Sequence, residues 1–140
     1  EPMPKAMHHI ALSCRDNATT EKFYKKWFGF ERALTFTDPN GNPVVFIRLG
    51  DFYLELFRSS DAGKSSAGEG PQVMGGEQPV GFKHFALKVD SVADYHERMK
   101  IDVNFTVPPQ TPPALPWMTL AFFKDPDGNI VQLLEGWKEN

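Results

Sequence analysis

His9-Ile10-Ala11-Leu12 and His84-Phe85-Ala86-Leu87 are nearly the same phrase written twice, once near the start of the chain and once past its midpoint. Each copy opens a stretch that reads strand, helix, then further strands. Each stretch closes on an apolar strand with one polar residue at its centre: Tyr53-Leu54-Glu55-Leu56-Phe57 in the first, Ile130-Val131-Gln132-Leu133-Leu134 in the second. The intervals from His9 to His84 and from Glu55 to Gln132 differ by only two residues. An internal repeat of this kind decides the architecture before any single element does.

In the first copy, Met7 to Ser13 alternates as a strand, with Ile10 and Leu12 on one face and His9, Ala11 and Ser13 on the other. Asp16-Asn17-Ala18-Thr19 offers N-caps for a helix carrying Phe23, Tyr24, Trp27 and Phe28, and Gly29 is placed to end it. Strands are expected at Glu31 to Thr37, Val44 to Leu49 and Phe52 to Arg58, with turns at Asp38-Pro39-Asn40-Gly41-Asn42 and Gly50-Asp51. Ser59 to Val80 reads as a linker rich in Gly and Ser. The second copy gives a strand over Phe82 to Val89 and a helix over Ser91 to Lys100 with a Val92, Tyr95, Met99 stripe. A short strand follows near Val103 to Val107, and the last two strands span Trp117 to Lys124 and Ile130 to Glu135. Between the short strand and Trp117, Pro108, Pro109, Pro112, Pro113 and Pro116 predict a loop that cannot pair as a central strand, because proline has no amide donor. The two Asp-Pro-x-Gly-Asn turns are spaced more widely than the repeat, so they share turn chemistry and not position.

The expected class is α+β: two β-α-β-β-β modules, about 5–58 and 81–137, within a single domain over 1–140. A lone module cannot bury both faces of its sheet. Two side by side would form a curved, mostly antiparallel sheet with helices outside, either within one chain or across a homodimer. The chain is 41% hydrophobic and 24% charged with net charge −3, the make-up of an ordinary soluble protein. No basic stripe points to nucleic acid, no apolar run is long enough for a membrane span, and no secretory pattern opens the chain. With Cys14 as the single cysteine, no internal disulfide forms, and a cytoplasmic location is the expectation. Cys14 itself reads as a small buried apolar residue.

One residue per strand can point into a shared cavity while its neighbours face the helices. His9, Glu55, His84 and Gln132 are those residues, and two imidazoles with two oxygen donors suit a divalent Zn, Ni, Mn, Co or Fe ion. Taken singly, a strand histidine is more often a packed core or rim residue. The repetition of each histidine with a matched polar partner raises the metal reading. A carboxylate amid Phe52, Tyr53, Leu54, Leu56 and Phe57 is costly to bury alone, so Glu55 needs a cation, a shifted pKa or a solvent-facing edge. His8 would point away from His9 in a regular strand and reads as outward. Trp27, Phe46, Tyr53, Phe57, Trp117 and Phe122 could line a pocket, with core packing as the ordinary alternative. Trp117 is the leading candidate for substrate contact because it closes the proline-rich loop. Arg48 and Lys124 could hold an anion or simply face solvent.

These residues carry a resemblance. The chain resembles the vicinal oxygen chelate superfamily, which includes glyoxalase I, methylmalonyl-CoA epimerase, extradiol dioxygenases and fosfomycin-resistance thiol transferases. The matching pieces are His9-Ile10-Ala11-Leu12, the Phe23-Tyr24 helix leading to Phe28-Gly29-Phe30, Tyr53-Leu54-Glu55-Leu56, His84-Phe85-Ala86-Leu87 and Phe123 to Val131. The resemblance implies a glyoxalase-like fold, a small-molecule substrate and metal ligands at His9, Glu55, His84 and Gln132. It also implies a lyase or isomerase that chelates the vicinal oxygens of a small carbonyl compound, proceeds through an enediolate, and uses Glu55 as its base. Gln132 departs from the glutamate usual at that position, which counts against thiol transferase and dioxygenase chemistry. Glu135 would face the opposite side of a regular strand and is no simple replacement. The rivals are an iron-dependent dioxygenase and a sequestering protein that binds a small molecule without metal.

Overall fold

In the computed structural model, residues 1–59, 61 and 80–139 are described. The expected linker falls almost wholly outside them. The chain divides into two compact units, residues 1–63 and 64–140, each built as β-α-β-β-β. The class is α+β.

The first unit comprises β1 (His9–Cys14), α1 (Asn17–Phe28), β2 (Glu31–Thr37), β3 (Pro43–Leu49) and β4 (Phe52–Arg58). Its strands lie in the order β1-β4-β3-β2. The β2–β3 and β3–β4 pairs are antiparallel, whereas β1 runs parallel to β4, with His9 opposite Tyr53 and Ala11 opposite Glu55. Helix α1 starts where the sequence places a cap: Asp16 accepts from the Ala18 amide at 3.3 Å and from the Thr19 hydroxyl at 2.7 Å. It stops at Gly29, whose φ of 70° is left-handed and whose amide donates to the Lys25 carbonyl at 3.2 Å. Buried Asn17 donates from one amide nitrogen to the carbonyls of Pro43 (2.8 Å) and Leu56 (3.1 Å), tying the helix start to β3 and β4. Tyr24 and Phe28 pack with Leu12, Cys14, Ile47, Leu54 and Leu56 as the core of this unit. Cys14 is fully buried, as a small apolar residue would be.

The second unit comprises β5 (Phe85–Lys88), α2 (Val92–Met99), β6 (Phe105–Gln110), β7 (Thr119–Lys124) and β8 (Ile130–Glu135), in the order β5-β8-β7-β6. Again the first and last strands are parallel and the others antiparallel. Several boundaries differ from expectation, among them the starts of β1, at His9 rather than Met7, and of β6, at Phe105 rather than Val103. Strand β5 begins at Phe85 rather than Phe82, and Phe82 is exposed, so no core claims the earlier residues. Strand β7 begins at Thr119 rather than Trp117. Strand β6 continues through Pro108 and Pro109 to Gln110. It is an edge strand whose pairing with β7 slips twice, so the missing proline amides interrupt a ladder that is already broken.

The two similar turns build the same hydrogen bonds in different places. Asp38 Oδ1 accepts from the amides of Asn40 and Asn42 between β2 and β3, and Asp125 Oδ1 accepts from those of Asp127 and Asn129 between β7 and β8. Gly41 and Gly128 both hold φ at 83°, which a side chain would resist.

The edge strand β2 is tied to α1 by a two-pronged ion pair: Arg32 Nε donates to Glu21 Oε2 at 2.8 Å and Nη2 to Oε1 at 2.6 Å. Arg32 holds the buried Glu21 carboxyl below its ordinary value of 4.5. The folded protein therefore gains stability from Glu21 above that value and loses it as pH falls through the lower folded value. Glu21→Gln is expected to cost about 1–3 kcal/mol in urea unfolding at neutral pH, with the difference from wild type shrinking under strongly acidic conditions. A difference independent of pH would assign the loss to packing instead.

Candidate functional site

Alternation along β4 sorts its side chains. Leu54 and Leu56 are buried in the core with α1, while Tyr53, Glu55 and Phe57 are half-buried on the other face. Phe46 sits opposite Glu55 on β3 and Ala11 opposite it on β1. The parallel pairing of β1 with β4 brings His9 to this face, with His9 Nε2 3.3 Å from Glu55 Oε1 and its ring edge-on to Phe46 at 5.3 Å. The Glu55 side chain is only 13% exposed and that of His9 37%. A carboxylate this enclosed is favoured by a cation or a donor beside it, and His9 can supply the donor.

The second unit repeats the arrangement. Gln132 sits opposite Phe122 on β7 and Ala86 on β5. His84, one residue before β5, places Nε2 3.1 Å from Gln132 Oε1 and packs edge-on to Phe122 at 5.0 Å. Phe122 belongs to a buried cluster with Val107, Leu120 and Ile130. Burial lowers the His84 pKa from 6.5, the hydrogen bond to Gln132 partly opposes this, and the charge of Lys83 adds to the lowering. The imidazole is thus held toward its neutral form, the form that can ligate a metal. Its Nδ1 is buried with no hydrogen-bond partner among the described residues.

Each unit therefore presents a histidine, an oxygen donor and a phenylalanine in the same relation. A family description covering the glyoxalases, bleomycin resistance proteins and dioxygenases matches residues 6–133, which takes in both arrangements. The chain belongs to the glyoxalase/bleomycin resistance protein/dioxygenase superfamily. Among its relatives, the uncharacterized protein YwkD of Bacillus subtilis is 28% identical over 133 residues, which span 94% of this chain and 97% of that one. The solved structure of lactoylglutathione lyase from Agrobacterium tumefaciens superposes with a TM-score of 0.63 at 26% identity, covering 95% of each chain. That of the fosfomycin resistance protein FosX from Listeria monocytogenes gives 0.71 at 19% identity over 96% of each, a likeness of fold alone.

Within this superfamily chain the remaining candidates separate by location. Phe57 lies on the Glu55 face of β4, half-buried. Trp117 lines a recess with Leu115, Met118 and Trp137, and neither His84, Phe122 nor Gln132 lines it. Lys138 Nζ stands 4.7 Å over the Trp117 ring. Glu135 accepts the Val92 amide at 2.9 Å at the start of α2, where the helix dipole favours an anion. Among the described residues no group of three or more His, Cys, Asp or Glu side chains converges as a metal site.

His8 is the residue that alternation misplaces. It precedes β1, so the strand's period does not bind it. Its ring stacks on Tyr53 at 4.7 Å and 16°, and its Nδ1 lies 2.9 Å from His9 Nδ1. The doubled histidine was the signal available in the sequence.

The lowered His84 pKa has a measurable consequence. The unfolded chain binds this proton more readily than the folded one, so His84 favours the folded state above about 6.5 and that advantage is lost as pH falls through the lower folded value. His84→Gln is expected to flatten the rise in stability between mildly acidic and neutral pH, read as the urea midpoint on either side of that window. An unchanged slope would show that burial leaves this imidazole unperturbed.

Proposed function

We propose that the protein is a metal-dependent lyase or isomerase of glyoxalase type, acting on a small carbonyl substrate with vicinal oxygens. The observation that carries this reading is the twice-built pair of an imidazole nitrogen and an oxygen donor, 3.3 Å apart in one unit and 3.1 Å in the other. Two ligands each about 2.0–2.2 Å from a shared divalent ion stand at about such a separation. His9, Glu55, His84 and Gln132 are the proposed donors. A divalent ion held there would act as a Lewis acid toward the substrate's oxygens.

The residues divide the remaining work. Glu55 is the only carboxylate among the four donors, so it is the group that can take a carbon-bound proton. Gln132 cannot ionise, and a ligated imidazole has its lone pair committed. Phe46 and Phe57 flank Glu55 on its face of the sheet and would offer apolar surface to the substrate and limit the water around the base, whereas Phe122 is taken up in the buried core of the second unit. Trp117 lines a recess that includes none of these residues and would contribute there rather than to the chemistry. The relative named as a lactoylglutathione lyase, at 26% identity, supports the lyase class.

One observation favours a second reading. His84 Nε2 and Gln132 Oε1 are within hydrogen-bond distance of one another without an ion between them. A sequestering protein that binds its small molecule without metal would keep such a pair. Iron-dependent dioxygenase chemistry is disfavoured by the same amide, which supplies no charge to the ion.

Two variants separate the readings. Glu55→Gln keeps an oxygen donor and removes the base, so exchange of solvent deuterium into α-hydroxycarbonyl compounds or thiohemiacetals should slow about 10²- to 10⁴-fold with metal retained. Exchange that persists would move the base elsewhere. Gln132→Glu adds a negative charge beside the cation and should raise metal affinity in calorimetry. A protein without metal in either form, yet binding a small molecule, would be the sequestering one.

A further inference from the structure

We infer that His8 is a positioning residue for His9: through the contact between their Nδ1 atoms it sets which nitrogen of His9 carries the proton. The inference rests on the reading of His9 as a metal ligand. The geometry is a chain of three groups. Glu55 Oε1 stands 3.3 Å from His9 Nε2, and His9 Nδ1 stands 2.9 Å from His8 Nδ1. Two nitrogens at that distance share one proton; two bare lone pairs would repel, and so would two N–H groups.

The proton count then fixes two states. Without metal, the carboxylate of Glu55 only accepts, so His9 carries its proton on Nε2 and leaves Nδ1 bare. His8 must then donate from Nδ1. With Nε2 committed to an ion, the proton of His9 sits on Nδ1, and His8 must accept there and carry its own proton on Nε2. Both rings stay neutral and the total number of protons is unchanged. Each ring exchanges the nitrogen that bears its hydrogen, so ligation at His9 is written as a tautomer change on His8.

His8 is held for this task. Its ring lies flat on Tyr53, and its carbonyl accepts the Tyr53 amide at 3.2 Å. The second unit lacks the device. His84 Nδ1 is buried without a partner among the described residues, and the residue before it is Lys83, whose ammonium can only donate. A ligating histidine ordinarily donates its other N–H to an acceptor that orients it, and loss of such a partner typically weakens metal binding about 10- to 100-fold. Here one half-site has that acceptor built in.

The test is nitrogen-15 spectroscopy of the histidine rings in mildly alkaline solution, before and after one equivalent of Zn²⁺, together with zinc calorimetry. His8 is expected as the Nδ1–H tautomer in metal-free protein and as the Nε2–H tautomer once zinc is added. His8→Phe keeps an aromatic ring on Tyr53 and removes the acceptor, so zinc affinity should fall by about 10- to 100-fold. His8→Asn, which presents an amide oxygen near the position of Nδ1, should recover most of the loss. A His8 tautomer indifferent to zinc, or a His8→Phe variant that binds zinc like wild type, would overturn the proposal while His9→Ala still abolished binding. Zinc affinity unchanged in His9→Ala would instead remove His9 as a ligand, and the proposal with it.

Discussion

The parallel pairing of each unit's first strand with its last is the constraint on which the rest depends. It sets His9 beside Glu55 and His84 beside Gln132, although each pair is separated by more than forty residues of chain. The side-chain period of two then does the sorting. Leucines on β4 go to the core, and the polar residue between them goes to the opposite face with an aromatic partner across the ladder. A one-residue slip in either pairing would bury the oxygen donor and expose its apolar neighbours, so the packing of the core also fixes the register of the site.

The two half-sites share a geometry and differ in charge. Glu55 offers a negative donor and a base, whereas Gln132 offers a dipole. A site with one charged ligand leaves more net positive charge on a bound divalent ion than a site with two. Burial holds His84 toward its neutral form. The first unit adds His8, whose contact with His9 has no counterpart in the second.

Much of this was legible in the sequence. The repeated His-x-Ala-Leu phrase, the polar residue inside each closing strand, the Asp16 and Gly29 caps and the two aspartate turns are local signals, and local hydrogen bonds decide them. What was not legible depends on contacts across the fold. Pro108 and Pro109 sit in a strand because it lies at an edge, which no local pattern reveals. The Glu21–Arg32 pair and the capping of α2 by Glu135 join residues that only tertiary packing brings together. His8 was read outward by an alternation that does not apply before the strand begins.

The most direct measurement of the proposed metal reading is X-ray absorption on protein loaded with a single equivalent of Zn²⁺. Imidazole nitrogen and oxygen donors around the zinc, with the imidazole signal weakened in His9→Ala, is the expected result. A zinc environment without imidazole, or one that His9→Ala leaves unchanged, would contradict it.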